Sequence, residues 1–483
     1  MDSDARTVQP GTELECDICI VGSGPAGISI ASAFIGSTRD VVVLESGGAR
    51  KEQAAQELNE GTVEGDPYAG LRKTRHRQLG GTVNIWNTPV TGRIGGKFVP
   101  LDARDLERDD GHLAAWPFGF GELTPWYKEA HAFCGLGPFV YDAESWRGAL
   151  GSGPDLGPSL VNQVFQFGRT EQLVTRYLRS FTRAGNIRIC HHATVRGLIT
   201  NRGGRRVIGV DVAGGSAESI RVNAGVVVLA AGAIENARLL LLSGDTLALD
   251  ESRRWVGKCF MEHPRDTSFV FTPHPGTIDE FAFHARRKAR DGTVVGGRIA
   301  LNEKAIAEEK IPGASISLLP PVPERDGVWP ALRRRFRPPP PPATFRVLVN
   351  LEQAPHPDNQ ISLGSDRDRL GLPRPVLHWR WSREEQAGLD RLRLCLAKWL
   401  GEKGRIEPSG NTGIDPNAHH HSGTTRMHRS PSLGVVDPAG RVHGVDNLYV
   451  AGASTFPTSG WANPTLTIVA LSLRLADHLR RGM

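Results

Sequence analysis

The chain has 483 residues, which is too long for one small hydrophobic core, so we expect two domains or one large domain with an insertion. It has 58 basic and 52 acidic residues, a net charge of +6, and 39% hydrophobic residues, which is typical of a soluble α/β protein. The charge excess is mild and no basic stretch is interleaved with aromatic residues, so the composition argues against nucleic-acid binding.

Six cysteines are scattered along the chain, and only Cys16 and Cys19 have the spacing of a metal or redox pair. They fall inside a predicted strand and no second pair follows, so packing thiols in a reducing cytosol are the better interpretation. The N-terminus lacks a signal peptide pattern, and the longest apolar run, residues 224–234, is too short to cross a bilayer. We therefore expect a cytoplasmic protein without a membrane-spanning segment.

The first motif is a glycine turn between a strand and a helix. Residues 16–21 predict a buried strand, residues 22–27 have the pattern GxGxxG, and residues 25–34 predict a helix with a proline in its first turn. A second apolar strand, residues 41–44, ends at Glu45. This order predicts a dinucleotide site: a strand, a glycine turn, a helix, a second strand and an acidic residue.

Each residue type in this motif has a physical role. Gly22 makes the turn, Gly24 lets the backbone approach a pyrophosphate, and Gly27 lets the helix pack close to the strand. The helix N-terminus presents N–H groups to the phosphates, and Glu45 can accept hydrogen bonds from ribose hydroxyls.

The middle of the chain predicts further elements of an α/β sheet. Two adjacent glycines, Gly80 and Gly81, suit either a loop along a ligand or an ordinary turn. Residues 187–212 predict a hairpin around an RGGR turn, and residues 224–232 predict a buried parallel strand followed by a helix over 233–242.

Residues 265–380 differ from the preceding α/β pattern. Their short β-prone runs predict antiparallel strands. The sequence RRRFRPPPPP, residues 333–342, predicts an exposed stiff loop, with a flap or a partner-docking segment as alternatives. Residues 382–400 predict an amphipathic helix with leucines on one face.

Near the C-terminus, residues 448–450 predict a strand that breaks at Gly452, and an apolar helix follows Asn463. This order places Asn463 at the mouth of a sheet. The sequence HHHSGTTRM, residues 419–427, lies just upstream.

These motifs together resemble the glucose–methanol–choline (GMC) oxidoreductase family, and the C-terminal half is most similar to its sugar-oxidising branch, which includes pyranose oxidase and bacterial glycoside oxidases. The stretches that carry the resemblance are 22–27 with Glu45, 80–81, 230–233, 261–264, 420–424 and 462–465. The implied fold class is α/β, with a Rossmann-like FAD-binding domain and an α+β substrate domain built on an antiparallel sheet. The expected FAD domain is discontinuous, 13–100, 180–265 and 425–483, with a connecting and cap segment at 101–179 and the substrate domain at 266–424.

The resemblance implies an FAD cofactor and a catalytic pair, with His420 as the base and Asn463 as its partner. His420 and Asn463 are also expected to bind the substrate. Trp461 departs from the family: its indole would contact the substrate by narrowing the pocket or stacking on a sugar ring, or it could equally be a buried packing residue. The residues expected to bind FAD are Gly22, Gly24, Gly27, Glu45, Ser46, Gly81, Thr82, Asn84, Val195, Ala231, Gly232, Ala453, Asn463 and Thr465.

The sequence departs from the family at one position that affects the cofactor. Ile85 matches the position where pyranose oxidase has a histidine bonded to the flavin, so we expect non-covalent FAD. His263 is interpreted as a structural histidine or as a flavin-side residue. Consecutive histidines rarely face one ion, so we expect no metal at His419 to His421.

The predicted reaction is oxidation of a sugar or glycoside hydroxyl to a carbonyl, with proton abstraction at His420 and hydride transfer to flavin N5. The electron acceptor is O2 or another molecule. Two alternatives are oxidation of a non-sugar alcohol and a non-redox lyase on the same fold. A third is a flavin-free binding module. The sequence leaves open which sugar and which carbon react, and the oligomeric state.

Overall fold

The computed structural model describes residues 2–9, 11–107, 113–214, 219–320, 344–411, 413–416 and 418–482. The strands in these ranges form three sheets of eight, nine and three strands. The proline-rich segment predicted at 333–342 lies outside the described residues.

The eight-stranded sheet carries the dinucleotide motif, and its central strands are parallel. Its spatial order is β1-β8-β3-β2-β11-β10-β9, and β20 pairs with the last residues of β11 on the side opposite β2. Numbered along the chain, its strands are β1 (Asp2–Asp4), β2 (Glu13–Val21), β3 (Val41–Leu44), β8 (Ile187–His191), β9 (Thr194–Thr200), β10 (Val207–Ala213), β11 (Ser219–Leu229) and β20 (Leu448–Val450).

The structure confirms the predicted strand–helix–strand unit. Helix α1 (Pro25–Ser32) connects β2 to the neighbouring parallel strand β3, whose four residues are all buried. The RGGR turn joins β9 and β10 as an antiparallel hairpin, as predicted. Since ligands bind at the carboxyl ends of parallel strands, this sheet places Gly22, Glu45 and Gly452 at one edge.

The nine-stranded sheet is mostly antiparallel, as predicted for the substrate domain. Its order is β19-β12-β16-β15-β14-β7-β6-β5, with β13 paired to β14. Its strands are β5 (Thr88–Val90), β6 (Arg93–Phe98), β7 (Leu160–Arg169), β12 (Arg265–Pro273), β13 (Arg287–Lys288), β14 (Val294–Leu301), β15 (Ala314–Leu319), β16 (Phe345–Leu351) and β19 (Gly404–Pro408).

The sheets do not divide at the expected boundary near residue 100. Strands β5 and β6 fall in the segment expected to bind FAD, and β7 falls in the expected cap, yet all three belong to the nine-stranded sheet. The segment Arg93–Phe98 contains two adjacent glycines and no alternating apolar pattern, so only its long-range pairing with β7 makes it a strand.

The third sheet joins β17 (Gln360–Arg367) and β18 (Pro373–Trp379) to β4 (Thr62–Gly65). The remaining helices are α2 (Gln53–Glu57), α3 (Ala103–Glu107), α4 (Phe120–Cys134), α5 (Arg147–Leu150), α6 (Arg176–Phe181), α7 (Ala233–Leu242), α8 (Glu303–Glu309), α9 (Arg383–Gly401) and α10 (Thr465–Gly482).

Helix α9 confirms the predicted amphipathic helix. Ser382 and Glu385 form a capping box at its start, in which each side chain accepts a hydrogen bond from the other residue's backbone N–H. Four of its leucines, Leu389, Leu392, Leu396 and Leu400, are buried in the apolar core of the nine-stranded sheet, whereas Leu394 is exposed. No helix in the described part of the chain is both long and apolar enough to cross a membrane.

Candidate active site

The glycine turn after β2 has the conformation that its sequence predicts. Gly22 has φ +107°, and a Cβ on it would lie 2.6 Å from the carbonyl oxygen of Ala230. A Cβ on Gly27 would lie 2.0 Å from the Gly22 carbonyl oxygen, so only glycine lets the helix pack here. No atom lies within 4 Å of a Cβ built on Gly24, so the backbone there is open to a ligand.

Ser23 joins three segments around this turn. Its hydroxyl donates to Glu45 Oε2 at 2.6 Å and accepts a hydrogen bond from the Gly80 backbone N–H at 3.1 Å. A Cβ on Gly81 would lie 3.0 Å from the Gly24 Cα, so the second glycine pair packs directly against the first turn. Burial raises the pKa of Glu45, and N–H groups of Ser23 and Gly47 oppose this by hydrogen bonding.

A cavity of about 1740 Å³ runs from this turn to the C-terminal motifs. Gly22 and Gly24 line one part of it, and His420 and Asn463 line another. A second glycine turn, at Gly232 with φ +85°, precedes helix α7 and also lines the cavity. An open backbone at Gly24, an acid at the end of β3 and a continuous cavity fit a bound dinucleotide.

Buried arginines surround the glycine-turn part of the cavity. Arg75 and Arg77 each lie 2.8 Å from a carboxylate oxygen of Glu235, which is in the first turn of α7. Burial alone would raise the pKa of Glu235, but the charges of Arg77, Arg238 and Arg75 hold it well below its usual range. The two arginines share the single carboxylate of Glu235, so this carboxylate neutralises their positive charges only in part.

The two residues expected to be catalytic meet in the cavity. The Asn463 Nδ2 atom lies 3.2 Å from His420 Nε2. An amide nitrogen can only donate, so Asn463 donates and His420 Nε2 accepts through its lone pair. His420 therefore carries its proton on Nδ1 and presents a basic nitrogen to the cavity.

The Nδ1 atom of His420 lies 2.9 Å from Nδ1 of His263. Since His420 carries its proton there, it donates and His263 accepts. The proton of His263 is then on Nε2. His263 thus fixes the tautomer that makes His420 a base.

Glu262 holds the backbone of both histidines. Its Oε1 accepts from the N–H of His420 at 2.7 Å and from the N–H of His263 at 2.9 Å. Its Oε2 accepts from the hydroxyl of Tyr68, which also contacts His421 Nε2 at 2.9 Å. Sequence reasoning gave Glu262 and Tyr68 no role, although Glu262 lies in the 261–264 stretch that carries the family resemblance.

Burial keeps these histidines neutral. It lowers the pKa of His420 well below 6.5, and the charges of His263, Arg265, His419 and His421 lower it further. Burial likewise lowers the pKa of His263 to about 4. A neutral imidazole at physiological pH is the form that can accept a proton.

The cavity brings together most of the expected site residues. All the residues expected to bind FAD line it except Gly27, which packs α1 on β2, and Asn84, whose amide donates to the carbonyls of Leu79 and Gly81. Ile85 also lines the cavity. The lining residues are Gly22, Gly24, Glu45, Ser46, Gly81, Thr82, Val195, Ala231, Gly232, Ala453, Asn463 and Thr465.

Trp461 is not among the residues that line the cavity. It is 4% exposed, its ring lies 3.8 Å from the Arg298 guanidinium, and its Nε1 donates to Asp102 at 2.9 Å. This placement corresponds to the packing interpretation of Trp461. The contacts that hold it come from β14 and from the loop before α3, and the sequence around Trp461 gives no sign of them.

His420 and His421 make separate contacts, with Asn463 and Tyr68 respectively. Within the described ranges, no three His, Cys, Asp or Glu side chains are grouped closely enough to hold a metal ion.

Comparison with known proteins agrees with this geometry. Two sequence profiles, both described as GMC oxidoreductase, match residues 148–265 and 355–472. The chain is similar to the 6'''-hydroxyparomomycin C oxidase of Streptomyces lividus, with 25% identity over 98% of this chain and 93% of that protein. A C-glycoside 3-oxidase of Microbacterium trichothecenolyticum is 34% identical over 24% of this chain and 23% of that protein. The solved structure of pyridoxine 4-oxidase from Mesorbium loti is similar with a TM-score of 0.58 and 16% identity, covering 96% of this chain and 99% of that one.

The family models and the relatives identify an FAD-dependent oxidoreductase that acts on CH–OH groups. The chain belongs to the GMC oxidoreductase family.

Proposed function

We propose that this enzyme oxidises a hydroxyl of a sugar or glycoside to a carbonyl, with His420 as the base and Asn463 as the orienting residue. The observation that carries the proposal is the contact between Asn463 Nδ2 and His420 Nε2, at 3.2 Å, on the wall of the cavity. The substrate hydroxyl would enter between these two groups.

His420 would accept the hydroxyl proton on Nε2. The Nδ1 proton stays on His420 and is held by His263, so the positive charge that develops on the ring is shared with an acceptor in a buried site. The tautomer of His420 must be fixed for this reaction, because an imidazole that already carries its proton on Nε2 could not accept the hydroxyl proton there.

Asn463 would hold the hydroxyl oxygen through its amide, so that the C–H bond has one fixed direction. This is an orientation effect, and its contribution depends on rigid placement of the amide. Rigidity comes from position, because Asn463 immediately precedes Pro464 and the start of helix α10.

FAD, when bound, supplies the acceptor for the hydride. The residues that would hold it are those of the glycine turn, Glu45 and the Gly81 turn. Ile85 cannot form a covalent bond to the flavin, which supports non-covalent binding.

Two observations support a sugar or glycoside over other alcohols. One relative is named a C-glycoside 3-oxidase. The cavity is also lined by the aromatic rings of Trp86, Phe165, Phe167 and Phe281, which suit stacking against a sugar ring. We further propose a cytoplasmic location, which is supported by six free cysteines.

Anaerobic bleaching of the flavin against a panel of sugars, glycosides and non-sugar alcohols tests the substrate class, and readmission of air then reports the reaction with oxygen. Bleaching by non-sugar alcohols alone would contradict the sugar assignment, and no bleaching by any alcohol would indicate a non-redox enzyme.

The role of His420 is tested with His420→Ala, which should slow flavin reduction on the order of 100-fold or more while FAD stays bound. His274→Ala, at an exposed histidine, is the matched control. A normal reduction rate in His420→Ala would contradict its assignment as the base.

A further inference from the structure

The nine-stranded sheet and its flanking turns form a wall of the cavity, and the charged residues on this wall are basic except for Asp279. The register places Lys97 opposite Phe167, and Arg265 opposite Asn350. These side chains line the cavity together with Arg286, which precedes β13. Here they are called the basic wall: Lys97, Arg265 and Arg286.

Lys97 is a half-buried cation that differs from three arginines lining the same cavity. Arg75 and Arg77 contact Glu235, and Arg265 contacts Asp415. Lys97 lies 4.8 Å from the centre of the Phe165 ring, and no carboxylate in the described part of the chain is within ion-pair distance of it.

Arg286, like Lys97, has no carboxylate partner among the described residues. It contacts the carbonyl of Pro89 and the ring of Phe167, and again no described carboxylate forms an ion pair with it. Burial, together with repulsion from Arg265 and Arg286, lowers the pKa of Lys97 to about 8. A partly desolvated cation without a counter-charge is costly, and an anion in the cavity would offset that cost.

The phosphates of the cofactor are poorly placed to be this anion. The glycine turn that would bind them belongs to the eight-stranded sheet, whereas the basic wall belongs to the nine-stranded sheet. The basic wall instead adjoins the reacting residues. Arg265 lies two positions after His263 in the chain, and its charge lowers the pKa of both His420 and Lys97.

We propose that the substrate carries an oxyanion, a carboxylate or a phosphate, which Lys97 and Arg286 bind while His420 and Asn463 engage the hydroxyl. This inference rests on the proposed function and narrows its substrate class to anionic sugars or glycosides. Lys97 and Arg286 then determine specificity, and the neutral form of the same sugar binds more weakly.

The test compares phenyl glucoside with its para-carboxyphenyl and para-phosphophenyl counterparts, because the charge lies on the aglycone and every sugar hydroxyl stays available. Methyl glucoside and methyl glucuronide place the charge on the sugar instead. Dissociation constants come from titration calorimetry on the FAD-loaded enzyme without turnover, and flavin reduction is followed separately under anaerobic conditions.

We expect at least one anionic ligand to bind about 10-fold to 100-fold more tightly than its neutral counterpart, which corresponds to one or two charge-assisted hydrogen bonds. Comparison of the carboxyl and phospho compounds identifies which oxyanion is preferred. Lys97→Met should abolish the preference with little change for the neutral compounds, and Lys97→Arg should keep much of it. Lys128→Met, at an exposed lysine on α4, is the matched control for the loss of one positive charge.

Equal or weaker binding of every anion in the wild-type enzyme would overturn the proposal, as would an anion preference that survives in Lys97→Met. Bleaching by neutral sugars without an anion preference overturns this inference alone. Anion binding that depends on Lys97, without bleaching by any compound, supports the anion site and contradicts the proposed oxidation. Flavin content of each variant verifies that the fold is intact.

Discussion

Replacement of His263 by leucine tests how the base is held. In the wild-type protein His263 accepts the Nδ1 proton of His420 at 2.9 Å, and its side chain is 1% exposed. Leucine fills a similar volume but offers no acceptor. The buried Nδ1–H of His420 then lacks a partner at the moment when the ring gains a proton on Nε2.

The size of the effect follows from the lost hydrogen bond. A hydrogen bond to a charged group contributes about 1.5–3 kcal/mol, and each ~1.4 kcal/mol corresponds to a tenfold change in rate. Flavin reduction in His263→Leu should therefore slow roughly 10-fold to 150-fold. Because the loss appears as charge develops, we expect the rate constant to change more than the substrate dissociation constant.

Stopped-flow measurement of anaerobic flavin reduction separates the two constants. His263→Gln is the matched variant, because its carboxamide oxygen can accept the same proton, and it should recover much of the rate. A His263→Leu enzyme with full flavin content and a wild-type reduction rate would refute the argument. A His263→Gln enzyme that reduces flavin as slowly as His263→Leu would also refute it. Equal rates would mean that the hydrogen-bond acceptor at this position does not matter and that His263 has only a structural role.

Three further predictions concern pH and the cofactor. Because burial holds the pKa of His420 well below 6.5, the limiting rate of flavin reduction should stay constant as pH falls from 8 to 6, and a half-maximal rate near pH 6.5 would contradict this. Gly24→Val should abolish FAD binding by filling the open space beside the backbone, as judged from the visible spectrum, and full flavin occupancy would contradict the placement. Acid precipitation should release all the yellow colour into the supernatant, whereas colour in the pellet would indicate a covalent flavin.

The parts of the site that depend on local pattern were predictable from the sequence. The glycine turn, Glu45 and β3 lie within one strand–helix–strand unit, and each constrains its neighbours in the chain. Family resemblance added the pairing of His420 with Asn463, which are 43 positions apart.

The parts that depend on distant partners were not predictable. His263 and His420 are separated by 157 positions, and Tyr68 and Glu262 by 194. No periodicity or spacing brings such residues together. Lys97 gave no signal for the same reason, since a single lysine beside two glycines resembles any exposed loop until β6 pairs with β7.

The interleaving of the sheets along the chain has a consequence for cooperativity. After β3 the chain leaves the eight-stranded sheet and forms β5 to β7 of the nine-stranded sheet. It returns to the eight-stranded sheet at β8 and enters the nine-stranded sheet again at β12. No single cut therefore separates the two large sheets into different fragments. Loss of either sheet removes strands or connections from the other, so thermal unfolding should release flavin and lose secondary structure in one transition.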